Sequence, residues 1–315
     1  MKLTKNNHTN PCKWIAYWNE NYYKSKICSI SSNLNARKQE IYSLNIKSNK
    51  IFKTITEKVH VETKIGYATI TPTMMIDFCK KNYPNKLSEL SEYLEQDPCD
   101  LIMPLEQIFD SFESTPTFDT LLKVVQTEKI NSRCDIGDLS TFIVCQFMRG
   151  HAFLNASIEY FKKAENELFE YFLFLKNTMS NPEILSALIE PLAISHWSIF
   201  KTDYHCFPLP DTPVLLNHKN IMIAISPRLL VEIDFKRRKE NGSWKIINNV
   251  PYKKIKEYKK RAIENTYKEL IFHDQNILEE LQKMACFQKR VQLLQNEKSY
   301  IKLIKTELNK NLVAL

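Results

Sequence analysis

The sequence predicts an α+β fold, predominantly helical, with a small mixed or antiparallel sheet and a basic helical C-terminus. Three observations carry that reading. In EIYSLNIKSNKIFKTI two alternating apolar runs flank Lys47-Ser48-Asn49-Lys50, the pattern of a β-hairpin. From Thr71 the apolar period changes from two to about 3.6. Between residues 193 and 235 short strand-like runs return, separated by Asp-Thr-Pro and Ser-Pro.

Taken in order, residues 11–23 are dense in aromatics, and a flexible polar run from Lys24 to Asn35 precedes the hairpin. Thr71 and Pro72 suit an N-cap and a first helical residue. Further helices fit Lys86–Gln96, Pro104–Phe112 and Phe118–Thr127, and a long one fits about Asp138 to Asn177, bent near Gly150. Phe142, Cys145, Phe147 and Met148 surround most of that helix with apolar groups, so it is expected to be buried. Pro182 suits another first turn. AISHWSIFKT, HCFPL, PVLL, NIMIAIS and LLVEIDF then read as strands that share one sheet with the hairpin. From Tyr252 onward the chain reads as basic amphipathic helices, with Val291, Leu294, Ile301, Ile304 and Leu308 along one stripe. The expected organisation is a core over residues 1–275, with residues 276–315 as a helical extension.

With 43% hydrophobic and 25% charged residues, 315 residues are enough for a large core. Four glycines, Gly66, Gly137, Gly150 and Gly242, leave little room for a glycine-dependent phosphate loop. No apolar h-region follows the basic N-terminus, and no window of about 18 uncharged apolar residues occurs, so no membrane span is expected and the cytoplasm is the expected compartment. The eight scattered cysteines, none in a CxxC pair, read as buried free thiols. The net charge of +8 is uneven: residues 236–315 hold 19 Lys and Arg against 9 Asp and Glu, a balance of +10, which leaves −2 for the rest. A basic tail can touch nucleic acid, an anionic membrane surface or an acidic protein partner, or simply be a solvated helix face.

Several spaced features coincide: His8-x-x-Pro11 before the aromatic run, Gln146-x-x-Arg149 in FIVCQFMRG, Asp211-x-Pro213-Val214, and Ser226-Pro227 at a strand end. Over roughly Asn7 to Asp274 the chain thereby resembles the bacterial family named domain of unknown function four-two-three-eight. It departs from that pattern in Thr9-Asn10-Pro11-Cys12-Lys13-Trp14 and in Pro210-Asp211-Thr212. The family's name brings no activity with it.

Chemistry is therefore read from the residues. His8 suits a general base or a metal ligand, or else packs on Trp14 or Trp18. Arg149 ends an apolar run, and a buried guanidinium needs phosphate, carbonyls or a carboxylate such as Asp211 or Glu57. Gln146 lies one turn earlier on the same face, so the two can clamp one ligand. Asp211, between Pro210 and Pro213, sits in a rigid turn, where it either aims its carboxylate or caps the turn. His8, Glu57, His60 and Asp211 are a possible divalent-metal set, with Glu57 and Asp211 as its carboxylates. Zinc-protease, zinc-ribbon, serine-hydrolase and Walker motifs are absent. His196, His205 and His218 alternate with apolar residues and read as structural. The run Lys236-Arg237-Arg238-Lys239 on a turn before Trp244 suits a phosphate backbone and a stacked base, or is a solvated loop. Two readings follow: a binding protein whose basic C-terminal surface contacts nucleic acid, and a metal-dependent nuclease with His8, Arg149 and Asp211 as catalytic groups.

Overall fold

Pro11 starts the first helix by offering its carbonyl to the N–H groups of Trp14 and Ile15 at 2.9 Å. The computed structural model describes residues 7–8, 10–28, 34–62, 71–96, 116–150, 153, 178, 181–238 and 242–296. Strand β1 (Asn7–His8) and helix α1 (Cys12–Ile15) lead into the aromatic run, in which Trp14, Ile15 and Trp18 are fully buried. The indole N–H of Trp14 donates to Ile225 and that of Trp18 to Phe207, each at 2.8 Å. Burying these rings thus requires distant parts of the chain, and each polar tip finds a carbonyl there, Ile225 in a strand and Phe207 in a loop. Helix α2 (Glu20–Ile27) follows, capped by Asn19, which accepts from the Tyr22 N–H.

The hairpin forms as expected, β2 (Glu40–Asn45) against β3 (Lys50–Ile55), with Asn49 in the left-handed region at φ 53° that asparagine tolerates. A short β4 (Val61–Glu62) pairs antiparallel with β1. Helices α3 (Pro72–Asn82), capped by Thr71 as expected, and α4 (Leu87–Gln96) follow. The Pro104–Phe112 segment lies outside the described residues.

Helices α5 (Pro116–Thr127) and α6 (Arg133–Arg149) pack side by side. Helix α6 starts earlier than expected because Ser132 caps it by accepting from the Asp135 N–H. It ends at Arg149, before Gly150, whose backbone is extended at φ −69°, ψ 149°; of the rest of the expected helix to Asn177, all but Phe153 lies outside the described residues. Helix α7 (Pro182–Ala193) is capped by Asn181.

The strands that follow are β5 (Ser195–Lys201), β6 (Leu209–Pro210), β7 (Leu215–Leu216), β8 (Asn220–Ser226), β9 (Leu229–Arg238) and β10 (Ser243–Ile247). Of these, only β6 joins the sheet of the hairpin. A five-stranded sheet has the order β10-β5-β9-β8-β7, parallel only between β10 and β5. The hairpin instead joins a separate antiparallel sheet, β3-β2-β11-β6, through β11 (Glu269–Phe272). This strand interrupts the C-terminal helices α8 (Tyr252–Asn265), α9 (Gln275–Gln282) and α10 (Ala285–Gln295). All four residues of β11 are buried, so it shows no alternation to separate it from a helix.

One hydrophobic core holds both sheets and most of the helices, from Trp14 through Phe142 and Trp197 to Leu270. Helices α9 and α10, expected in an extension, place Leu278, Leu281, Phe287, Val291 and Leu294 in that core. The rest of the expected stripe lies outside the described residues. Among the described cysteines, Cys79, Cys145 and Cys206 are buried thiols, whereas Cys28 and Cys134 are exposed. No described helix is long and apolar enough to cross a membrane.

Candidate functional site

Pairing of β1 with β4 carries the chain into a buried polar cluster. Asn10 is fully buried, and its amide contacts the His60 Nδ1 at 2.7 Å and donates to the Pro210 carbonyl at 3.2 Å. His60 is itself fully buried and held at φ 53°, uncommon for histidine, a conformation that the surrounding bonds must sustain. Its N–H donates to the Glu269 Oε1 at 2.6 Å, while the Glu269 Oε2 accepts from the Ser43 hydroxyl at 2.6 Å. Lys268 donates to the Val61 carbonyl at 2.6 Å, tying β4 to the start of β11.

Asp211, also fully buried, is held by three successive N–H groups. Its Oδ1 accepts from Tyr267 at 3.1 Å and its Oδ2 from Lys268 at 2.6 Å and Glu269 at 3.2 Å. The carboxylate thus satisfies the stretch of backbone between α8 and β11. Two carboxyls share this pocket, and Glu269 feels it: burial above all, then the Asp211 charge, raise its pKa against the pull of Ser43, the His60 N–H and Lys268.

The end of α6 meets the same place. A Cβ built on Gly150 would lie 3.5 Å from the Thr212 methyl, so the helix terminus abuts the residue after Asp211. Gln146 and Arg149, on the last turns of α6, are both buried, at 3% and 8% exposure, so neither faces open solvent. Among the described residues, the Gln146 Oε1, the Thr212 Oγ1 and the Asn10 Oδ1 have no hydrogen-bond partner.

The expected site residues divide accordingly. Asp211 follows Pro210, whose carbonyl accepts from Asn10 inside the His8-x-x-Pro11 segment, while Gln146 and Arg149 lie on the last turns of α6, whose Gly150 cap nears Thr212. The backbone of His8 pairs with Val61, and its side chain lies outside the described residues. Glu57 sits half-buried on the 3-10 turn Thr56–Lys58. No three His, Cys, Asp or Glu side chains among the described residues stand together as a metal set. Ser226 caps its own turn by accepting from the N–H groups of Arg228 and Leu229.

The basic run is corrected more sharply. Lys236, Arg237 and Arg238 belong to β9 rather than to a turn, because pairing with β5 continues as far as Arg238. Lys236 and Arg237 are exposed, with Arg237 3.4 Å from Asp234; the side chain of Arg238 and all of Lys239 lie outside the described residues. Trp244 is not an exposed ring beside a loop: it stands opposite Trp197 in the parallel β10–β5 pair and packs on the core.

Sequence reasoning missed a different surface. On α8, Lys254 is paired with Glu232 and Glu257, Lys259 with Glu280, and Lys260 with Glu264. Lys253 and Lys256, exposed and one turn apart, have no carboxylate partner among the described residues. Beside them Tyr252 is 74% exposed and Tyr204 59% exposed. Desolvation, Cys206 and Tyr252 raise the pKa of Tyr204, which places the second phenol near the first. The sequence signal was an aromatic residue set among lysines at a Pro251 helix start.

The fold and these sites define a mixed α+β protein with a sealed polar cluster and a lysine–tyrosine surface. Compared with known proteins, the chain matches no family model, no curated protein and no solved structure.

Proposed function

We propose that this chain is a binding protein for single-stranded nucleic acid, which it contacts through the exposed face of α8 and the two neighbouring tyrosines, while the polar cluster fixes the fold. One observation carries the reading: the mostly exposed Tyr252, near enough to the exposed Tyr204 to act on its phenol, adjoins Lys253 and Lys256, which have no carboxylate partner among the described residues. Lysines that neutralise phosphates, next to aromatic faces on which bases stack, are the parts of a sequence-tolerant single-strand site. The nuclease reading asks Asp211 to bind metal, but three backbone N–H groups already hold that carboxylate.

Fluorescence anisotropy with labelled single-stranded RNA and DNA tests the proposal. The slope of log K against log salt is expected to become shallower by about 1.4 in Lys253→Glu/Lys256→Glu, at ~0.7 per phosphate contact. Tyr252→Ala is expected to cost about 1–3 kcal/mol of binding. Absence of binding at low salt, or wild-type binding by both variants, removes the reading.

A further inference from the structure

We propose that the cavity between α6, α7 and β10 binds a small planar carboxylate, an aromatic acid the size of benzoate, with Arg133 holding the carboxylate and Trp244 the ring. The cavity has a volume of about 190 Å³. It is lined by Arg133 at the start of α6, by Ala193 and Ile194 at the end of α7, and by Gly242, Ser243 and Trp244 at the entry to β10. An apolar cavity of about 150 Å³ already holds benzene. The space here therefore takes one ring and a carboxylate, and it falls below the ~300 Å³ at which sites for drug-sized ligands begin.

The walls set the chemistry of the ligand. Ile136, which also lines the cavity, is buried and Trp244 is half-buried, so aliphatic groups and an indole meet a flat apolar body. The Arg133 guanidinium offers the paired N–H groups that match the two oxygens of a carboxylate. Among the described residues no acid lines the cavity. Asp135, in the first turn of α6, is instead engaged by Lys123 at 3.4 Å and by the Asn131 N–H at 2.8 Å. One cation without an opposing acid favours a monoanion over a cation, and a nucleoside phosphate brings more charge and more bulk than the space takes. The entry to β10 is fixed from two sides. The Ser243 hydroxyl meets the His196 Nδ1 at 2.7 Å, which ties it to β5, and Gly242, at φ +60°, carries the backbone against the Ala193 carbonyl. The cavity is thus preformed, so little ordering opposes binding. It lies on other elements than the lysine–tyrosine surface, and the inference does not depend on nucleic-acid binding.

The test uses the fluorescence of the full chain. Of the four tryptophans, Trp14, Trp18 and Trp197 are fully buried, which leaves Trp244 as the indole open to a ligand. Titration with 4-nitrobenzoate, whose ring quenches indole emission, is expected to give saturable quenching that benzoate reverses by competition and the uncharged benzamide does not, a readout in the wild type that needs no variant to fold. Arg133→Gln is expected to weaken binding about tenfold, the loss of one hydrogen bond to a charged group, and Trp244→Phe to remove the quenching. Absence of saturable quenching, equal competition by benzamide and benzoate, unchanged affinity in Arg133→Gln, or full quenching in a folded Trp244→Phe protein overturns the proposal.

Discussion

Asp211 shows how one side chain organises backbone far from it in sequence. Its carboxylate accepts from Tyr267, Lys268 and Glu269, and its own N–H donates to the Glu269 carbonyl at 3.1 Å. Removing the carboxylate leaves three buried N–H groups without this acceptor, and each orphaned group costs about 1–3 kcal/mol. Asp211→Ala is therefore expected to lose on the order of 3–5 kcal/mol, with Asp211→Asn, which keeps one acceptor oxygen, losing less. Urea denaturation midpoints check this ordering; equal stability of Asp211→Ala and wild type would show that the carboxylate is not structural. The flanking prolines made the rigid turn legible in the sequence. Its partners were not, because no local pattern reports a contact across more than fifty residues. Glu269 was hidden for a related reason: a carboxyl beside Leu-Ile-Phe looks solvent-facing until Ser43 and the His60 N–H are brought to it.

At the scale of elements, the strands and helices with a clear period were legible: the β2–β3 hairpin, α3 with its Thr71 cap, α5, β5 and β8. The errors fell where period fails. β11 is buried along its whole length and carries no alternation, so its apolar run merged with the helices on either side and the second sheet went unseen. The β9–β10 connection failed for another reason, since a parallel partner of β5 cannot be inferred from the local chain. At the entry to β10, Gly242 has φ +60°, and an added Cβ would lie 2.4 Å from the Ala193 carbonyl oxygen. Both the left-handed backbone and the contact with rigid backbone penalise a side chain. Gly242→Ala is expected to lower stability by about 2 kcal/mol, read as a lower thermal midpoint, whereas Gly137→Ala, with open space around the new methyl, should not. Equal losses at the two glycines would contradict this account of the β10 turn.

For the molecule as a whole, His205 and His273, whose ring nitrogens face each other at 3.4 Å, make stability depend on pH in a direction the sequence did not indicate. Burial lowers the His205 pKa to about 4, and His273 is lowered as well; around them Glu20 and Asp274 favour protonation, and Lys24 and Arg228 oppose it. In the unfolded chain both imidazoles titrate near the ordinary value of 6.5. Between that value and about 4 the unfolded state therefore binds more protons than the folded one, so stability is fully present above pH 6.5 and drains away as the pH falls. Carboxylates add their own acid losses, so the histidine contribution has to be isolated by difference. The expected outcome is that wild-type stability falls from pH 6.5 to 4 more steeply than that of His205→Gln/His273→Gln, and that the two curves run parallel above pH 7, as measured by urea unfolding at each pH. Parallel curves throughout would mean that the pair is as easily protonated in the folded protein as in the unfolded chain. A shallower wild-type curve would mean that the fold favours the charged rings, with Glu20 and Asp274 outweighing burial.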